Sequence, residues 1–219
     1  MNLGLFGGTF NPIHRCHLTI ADQVRQRMAL DRVVFIPAGI PPLKPQAALA
    51  PASDRLEMTR LAVQPYAWAE VSTIEIDRPG PSYSVETVEQ LGRQRPGEPL
   101  YFLVGTDAFA HIMDWREPER LLRLCDLVVI PRVGHPFASL RSLPMLASIA
   151  SERLQALDEG TPHLEEIQSA AGRRLWLLGL PPCPISATQV RAAVEAGAPL
   201  DALLPEAVRS YILRRRLYQ

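Results

Sequence analysis

Short apolar runs alternate with amphipathic stretches along most of this chain, and the alternation predicts its architecture. Apolar runs at residues 3–6, 32–37, 69–76, 100–104, 127–130 and 175–178 read as strands. Four of them are short and continuous, as expected of strands covered on both faces. Between them apolar positions recur with helical spacing. One such stretch covers residues 18–28, and another runs to Val63 from a cap at Ser53 or Asp54. A third follows a Ser84 cap over residues 85–93, with Val85, Val88 and Leu91 on one face, and a short one covers 117–124. This order predicts an α/β fold that is Rossmann-like and doubly wound: a mostly parallel sheet with helices on both faces. Ligands of such sheets bind outside the carboxyl ends of the strands.

The 21 prolines fall mainly in connections, with Pro41, Pro42 and Pro45 marking an extended loop and Pro79 and Pro81 flanking Gly80. Residues 134–174 contain no clear strand; 140–157 reads as helix and 158–162 as a turn. This segment is expected to elaborate a single domain spanning 1–219, with a helical region from about residue 186 to the end.

Composition narrows the class. With 47% hydrophobic residues in 219, the chain buries a sizeable core. Its formal net charge of zero supplies no whole-molecule field toward nucleic acid or a membrane, so any phosphate binding must come from a local cluster. Cys16, Cys125 and Cys183 are far apart and form no C-x-x-C pair, which argues against a zinc ribbon or disulfide framework and fits a reducing compartment. The start of the chain has no basic region before a long apolar stretch, and no run reaches bilayer length, so a cytoplasmic location is expected.

Candidate chemistry sits at two helix starts. The first follows the opening strand: Gly7-Gly8-Thr9-Phe10-Asn11-Pro12-Ile13-His14-Arg15-Cys16-His17. Gly7 and Gly8 permit positive φ and close approach of a ligand, Asn11 is a good N-cap, and Pro12 suits the first helical position. Free N–H groups there favour an anion, and His14 and His17, three apart, share a helix face. Three readings remain: a phosphate site with catalytic histidines, a metal site, and a purely structural turn. The metal reading lacks the i, i+4 histidine pair with an acidic partner, and the stretch is neither G-x-G-x-x-G nor a P-loop. The second site is Pro184-Ile185-Ser186-Ala187-Thr188-Gln189-Val190-Arg191, where Ser186 caps a helix ending near Gly197 and Arg191 lies one turn on. Alone it is an ordinary cap; together, two such starts could hold one triphosphate across the sheet.

These residues resemble the nucleotidylyltransferase superfamily and, within it, the bacterial nicotinate-nucleotide adenylyltransferase family. The first segment is similar to that family's GGTFDPIHxGH and the second to its ISxTxxR. The resemblance continues through Pro41-Pro42-Leu43-Lys44, Arg55 to Met58, Arg78-Pro79-Gly80-Pro81-Ser82-Tyr83-Ser84 to Thr87, Gly105-Thr106-Asp107-Ala108-Phe109, Trp115, and Leu204-Pro205 through Val208, Tyr211 and Ile212. It is weakest over residues 134–174. Two departures stand out: Asn11 replaces the commoner Asp, and Cys16 stands where the family often has Gly and could crowd the ligand or the helix.

The resemblance implies that ATP and nicotinate mononucleotide are joined to nicotinate adenine dinucleotide (deamido-NAD) with release of pyrophosphate, in NAD biosynthesis. It further implies that His14, His17 and Arg191 are the catalytic groups. Gly7, Gly8, Thr9, Phe10, Lys44, Gly105, Asp107, Ile185, Ser186 and Thr188 would contact ATP, and Arg132, by its place after a strand end, could reach it. Ser82, Tyr83, Ser84, Thr87, Trp115 and Arg116 would hold the mononucleotide, with the ring stacked on Trp115. The expected chemistry is direct in-line attack by the mononucleotide phosphate on the ATP α-phosphorus, driven by positioning and electrostatics. Mg²⁺ would ride on ATP phosphates and water, without a dedicated protein metal site. No nucleic acid or membrane partner is implied, and a homo-oligomer is compatible with the sequence. Rival readings are a sister enzyme acting on nicotinamide mononucleotide or phosphopantetheine, and a non-catalytic nucleotide-binding module. A synthetase-like protein, echoed by His14-x-x-His17, lacks a KMSKS-like loop and room for an anticodon domain.

Overall fold

The computed structural model describes every residue except 43–48, 161–163, 169–171 and 182. Among the described residues one seven-stranded sheet is formed by β1 (Leu3–Gly8), β2 (Arg32–Pro37), β3 (Ala69–Val71), β4 (Leu100–Gly105), β5 (Asp126–Ile130), β6 (Leu164–Gln168) and β7 (Arg174–Leu178). The strand order is β3-β2-β1-β4-β5-β7-β6, and every neighbouring pair is parallel except β6–β7. The order reverses between β1 and β4, which opens a crevice at their carboxyl ends.

Alternating side chains of the central strands feed two apolar layers. Leu3, Leu5, Val34, Phe102, Val104, Leu127 and Leu175 face one side, with Val85, Val88 and Leu91 of α4 (Ser84–Gln94) and Leu121 of α6 (Pro118–Leu124). Phe6, Val33, Phe35, Leu103, Val128 and Leu178 face the other. There they meet α1 (Arg15–Arg27), α2 (Ala52–Val63), α8 (Ala187–Glu195) and α9 (Glu206–Arg215). The doubly wound reading therefore holds, with helices on both faces.

Four local expectations are corrected. The third strand ends at Val71; α3 (Ile74–Asp77) replaces its second half, because the Thr73 hydroxyl and the Ile76 and Asp77 N–H groups close a helical turn. The first helix begins at Arg15, not at a cap on Asn11. Residues 134–174 do contain a strand, β6, and their helix is confined to α7 (Ser151–Asp158) after two short 3₁₀ turns at 137–142 and 144–146. Finally, Cys16 and Cys183 form a disulfide, and only Cys125 is free. Their 167-residue separation in sequence hid the pairing, since the β7–α8 connection returns directly to α1. No described helix is long and apolar enough to cross a membrane.

Candidate active site

The chain leaves β1 at Gly8 and turns at Phe10, whose φ of 46° is left-handed. Gly7 and Gly8 permit that conformation, but neither adopts positive φ. Gly8 is needed for space instead: a Cβ there would lie 2.9 Å from the Phe10 ring. The Asn11–Pro12 peptide is cis, and extended His14 is the residue before α1. Asn11 thus caps no helix. Its side-chain oxygen accepts the Ala50 N–H at 3.0 Å and the Tyr218 hydroxyl at 2.9 Å. The Arg15 N–H donates to the Leu203 carbonyl at 3.0 Å, which ties the start of α1 to the loop before α9.

His14 and His17 stack with ring centroids 3.7 Å apart. The His14 backbone N–H donates to His17 Nδ1 at 3.1 Å, which fixes the tautomer with its hydrogen on Nε2. The His14 ring is fully buried and neither of its nitrogens has a hydrogen-bond partner among the described residues. Burial, reinforced by the Arg132 charge, drops its pKa to about 3. His14 is therefore neutral and packs beneath His17, which lines the cavity above.

The second segment closes the opposite wall. Ser186 caps α8 as expected, accepting the Gln189 N–H at 3.2 Å. Arg191 donates to the Asn11 carbonyl at 2.9 Å and to the Thr188 hydroxyl at 3.2 Å, tying this helix to the first segment. The Cys16–Cys183 bond makes a second tie, and the Ile185 N–H points at Cys16 Sγ at 3.4 Å. Cys16 is 1% exposed and does not enter the ligand space. The resulting hollow of about 520 Å³ gathers Gly7, Gly8, Thr9, Phe10, His17, Gly105, Asp107, Arg132, Ser186, Thr188 and Arg191. Ile185 lies just outside it, Arg132 and Asp107 pair at 3.7 Å across it, and Lys44 lies outside the described residues.

A second, more apolar hollow of about 300 Å³ brings together Ser82, Tyr83, Ser84, Trp115 and Arg116. Ser84 opens α4, whose amino end favours an anion. Trp115 is set edge-on against Phe102, at 6.2 Å, and the Arg116 guanidinium lies 4.7 Å over the Tyr83 ring. Thr87 is not on the wall. It is fully buried below, its hydroxyl donating to Glu75 at 2.8 Å and accepting from Arg78 at 2.9 Å. The two hollows share Phe6, Gly7, Gly8, Thr9, Gly105 and Ala108 as a common floor.

Sequence reasoning assigned no role to two supporting residues. Arg55, 1% exposed, donates to the carbonyls of Ala50, Thr9, Ala38 and Gly39, which locks the turn after β1 to the end of β2. Glu75, also buried, lines the second hollow; burial raises its pKa against the opposing hydrogen bonds of Thr87 and Ser82 and the charges of Arg78 and Arg55. Arg55 belongs to a stretch that carries the family resemblance but no role of its own, and Glu75 shows only a charged residue between two isoleucines. Among the described residues, no group of three or more His, Cys, Asp or Glu could hold a metal ion.

The crevice, with its stacked histidines and a capped helix carrying Arg191, has room for a nucleotide, and the chain belongs to the cytidylyltransferase-like family, whose model matches residues 5–193. Within that class its relatives are nicotinate-nucleotide adenylyltransferases. The chain is 40% identical over 219 residues to a protein of Citrifermentans bemidjiense named "Probable nicotinate-nucleotide adenylyltransferase", covering 100% of this chain and 98% of that one. A protein of Geobacter sp. strain M21 with the same name is 38% identical over 218 residues, with the same coverage. The fold is similar to that of Plasmodium falciparum nicotinic acid mononucleotide adenylyltransferase solved with NaAD, at a TM-score of 0.72 and 16% identity, covering 99% of this chain and 97% of that one.

Proposed function

We propose that this chain joins ATP and nicotinate mononucleotide to give nicotinate adenine dinucleotide and pyrophosphate, the 219 residues acting as one catalytic unit. The observation that carries the reading is the common floor: two hollows of different character meet over Gly7, Gly8 and Thr9. The larger, lined by His17, Arg132 and Arg191, suits a triphosphate, and the apolar one, lined by Trp115 and the start of α4, suits a pyridine ring bearing a carboxylate.

A phosphate oxygen of the mononucleotide attacks the ATP α-phosphorus in line; the new O–P bond forms as the bond to the β-phosphate bridging oxygen breaks, and pyrophosphate leaves with the electron pair. No side-chain nucleophile is required. The obstacle is repulsion between anions and charge growing on the leaving group, which preorganised donors relieve. His17 donates from Nε2 to the α-phosphate, held in that tautomer by the His14 N–H. Arg191 grips the leaving pyrophosphate, and Ser186 and Thr188 assist it. Trp115 stacks on the pyridine, and the Ser84 and Arg116 N–H groups take its carboxylate. Mg²⁺ would enter with ATP as part of the substrate and would offset the charge of its phosphates.

The test is pyrophosphate release with Mg²⁺ and ATP, comparing nicotinate mononucleotide, nicotinamide mononucleotide and phosphopantetheine. Activity with the nicotinate substrate, reduced about 10²–10³-fold in His17→Ala, is expected if His17 acts like one oxyanion donor. Activity only with another acceptor would keep the chemistry and overturn the substrate; ATP binding without turnover would reduce the chain to a binding module.

A further inference from the structure

The last turn of the chain reaches the triphosphate wall from behind. Helix α9 ends with Arg216 in the left-handed region, and the Leu217 and Arg216 N–H groups return to the Ile212 and Leu213 carbonyls. That reversal is a Schellman-type stop, and it turns the chain back toward the sheet. The helix itself is held by Asp54 of α2, which accepts the Tyr211 hydroxyl at 2.7 Å and Arg215 Nε at 3.3 Å. Tyr218 then lies within the field of the Arg55 and Arg191 charges, with its hydroxyl donating to the Asn11 side-chain oxygen at 2.9 Å.

The partners of Arg191 show why a phenol is used here. Among the described residues its guanidinium donates to neutral acceptors, the Asn11 carbonyl and the Thr188 hydroxyl. Its full charge is thus left for a ligand in the cavity that it lines. A carboxylate at position 218 would consume that charge; a neutral donor holds Asn11 without doing so. Burial pushes the Tyr218 phenol up, so it remains a donor at any physiological pH.

We propose that Tyr218 is a positioning residue for nucleotidyl transfer: its hydroxyl fixes Asn11, and Asn11 in turn holds the Arg191 guanidinium in the orientation that grips the pyrophosphate moiety. The inference rests on the reading of Arg191 as a phosphate ligand, and the experiment separates the two. Titration calorimetry with Mg²⁺-pyrophosphate on the intact protein is the readout, so it does not require turnover. Tyr218→Phe keeps the ring and deletes one neutral hydrogen bond; pyrophosphate affinity should fall about threefold to tenfold, and the ATP KM should rise by the same factor. The KM for the mononucleotide, which occupies the other hollow, should stay within twofold. In an Arg191→Ala background the Tyr218→Phe change should add nothing, because both act through one guanidinium.

A residue that merely tethers the C-terminus would lower the melting temperature, leave pyrophosphate affinity unchanged and combine additively with Arg191→Ala; that result overturns the proposal. An Arg191→Ala protein that binds pyrophosphate as well as the parent would overturn the reading of the site itself, and the positioning role with it.

Discussion

Gly39 and Glu75 pass so closely that a Cβ on Gly39 would sit 2.2 Å from the Glu75 carbonyl oxygen. The contact seats α3 against the chain just after β2, and Glu75 lines the second hollow. The Gly39 N–H also donates to Ser82 Oγ at 3.0 Å, so the same backbone orients a wall residue. In Gly39→Ala one of two backbones must move. Urea denaturation should show a loss of about 1–3 kcal/mol. The KM for the mononucleotide should rise more than the KM for ATP, and equal changes in both would count against this division of the site.

Arg55 predicts a larger effect. Replacing it with Met leaves four carbonyls without their donor, in a buried place where each unsatisfied acceptor is costly. Denaturation should report a loss of about 3–5 kcal/mol, the range for breaking a buried polar network. Arg55→Lys should recover only part of it, because an ammonium cannot reproduce the planar fork.

The buried His14 ring makes stability depend on pH with a definite sign. Its folded pKa of about 3 lies below the ordinary 6.5, so the unfolded chain takes up the proton first as pH falls. The contribution is complete above 6.5 and is lost progressively as pH drops toward 3. Within that window the slope is about 1.4 kcal/mol per pH unit. His14→Asn removes this component. Relative to the parent, the variant should gain about 2 kcal/mol between neutral pH and about pH 5, read from urea midpoints at each pH.

The disulfide closes a loop with a sequence separation of 167. By loop-closure entropy its reduction should cost about 5 kcal/mol, and Cys16→Ser should reproduce the loss and abolish any further effect of reductant. A reductant effect that persists in Cys16→Ser would point to another cause.

Much of this fold was legible because β1, β2, β4, β5 and β7 are apolar on both sides, a pattern that few other elements produce. Strand β6 reads Leu-Glu-Glu-Ile-Gln and inverts the usual rule: Leu164 is exposed, while Glu165 is buried against Arg153. No hydrophobicity pattern reveals a strand whose inward charge is matched by a partner twelve residues away. The site divides in the same way. His17, Ser186, Thr188 and Arg191 belong to compact motifs whose chemistry is local in sequence. The parts played by Asn11, Arg55, Glu75 and Tyr218 depend on backbone groups and side chains brought near by the sheet, so single-chain spacing carries no trace of them.

The shared floor of Gly7, Gly8 and Thr9 also bears on how the site empties. A dinucleotide lying across both hollows is a two-headed ligand, and when one head detaches the other keeps it near at high effective concentration. Pyrophosphate has one foothold and no such tether. If the proposed reaction holds, this geometry favours pyrophosphate leaving before the dinucleotide.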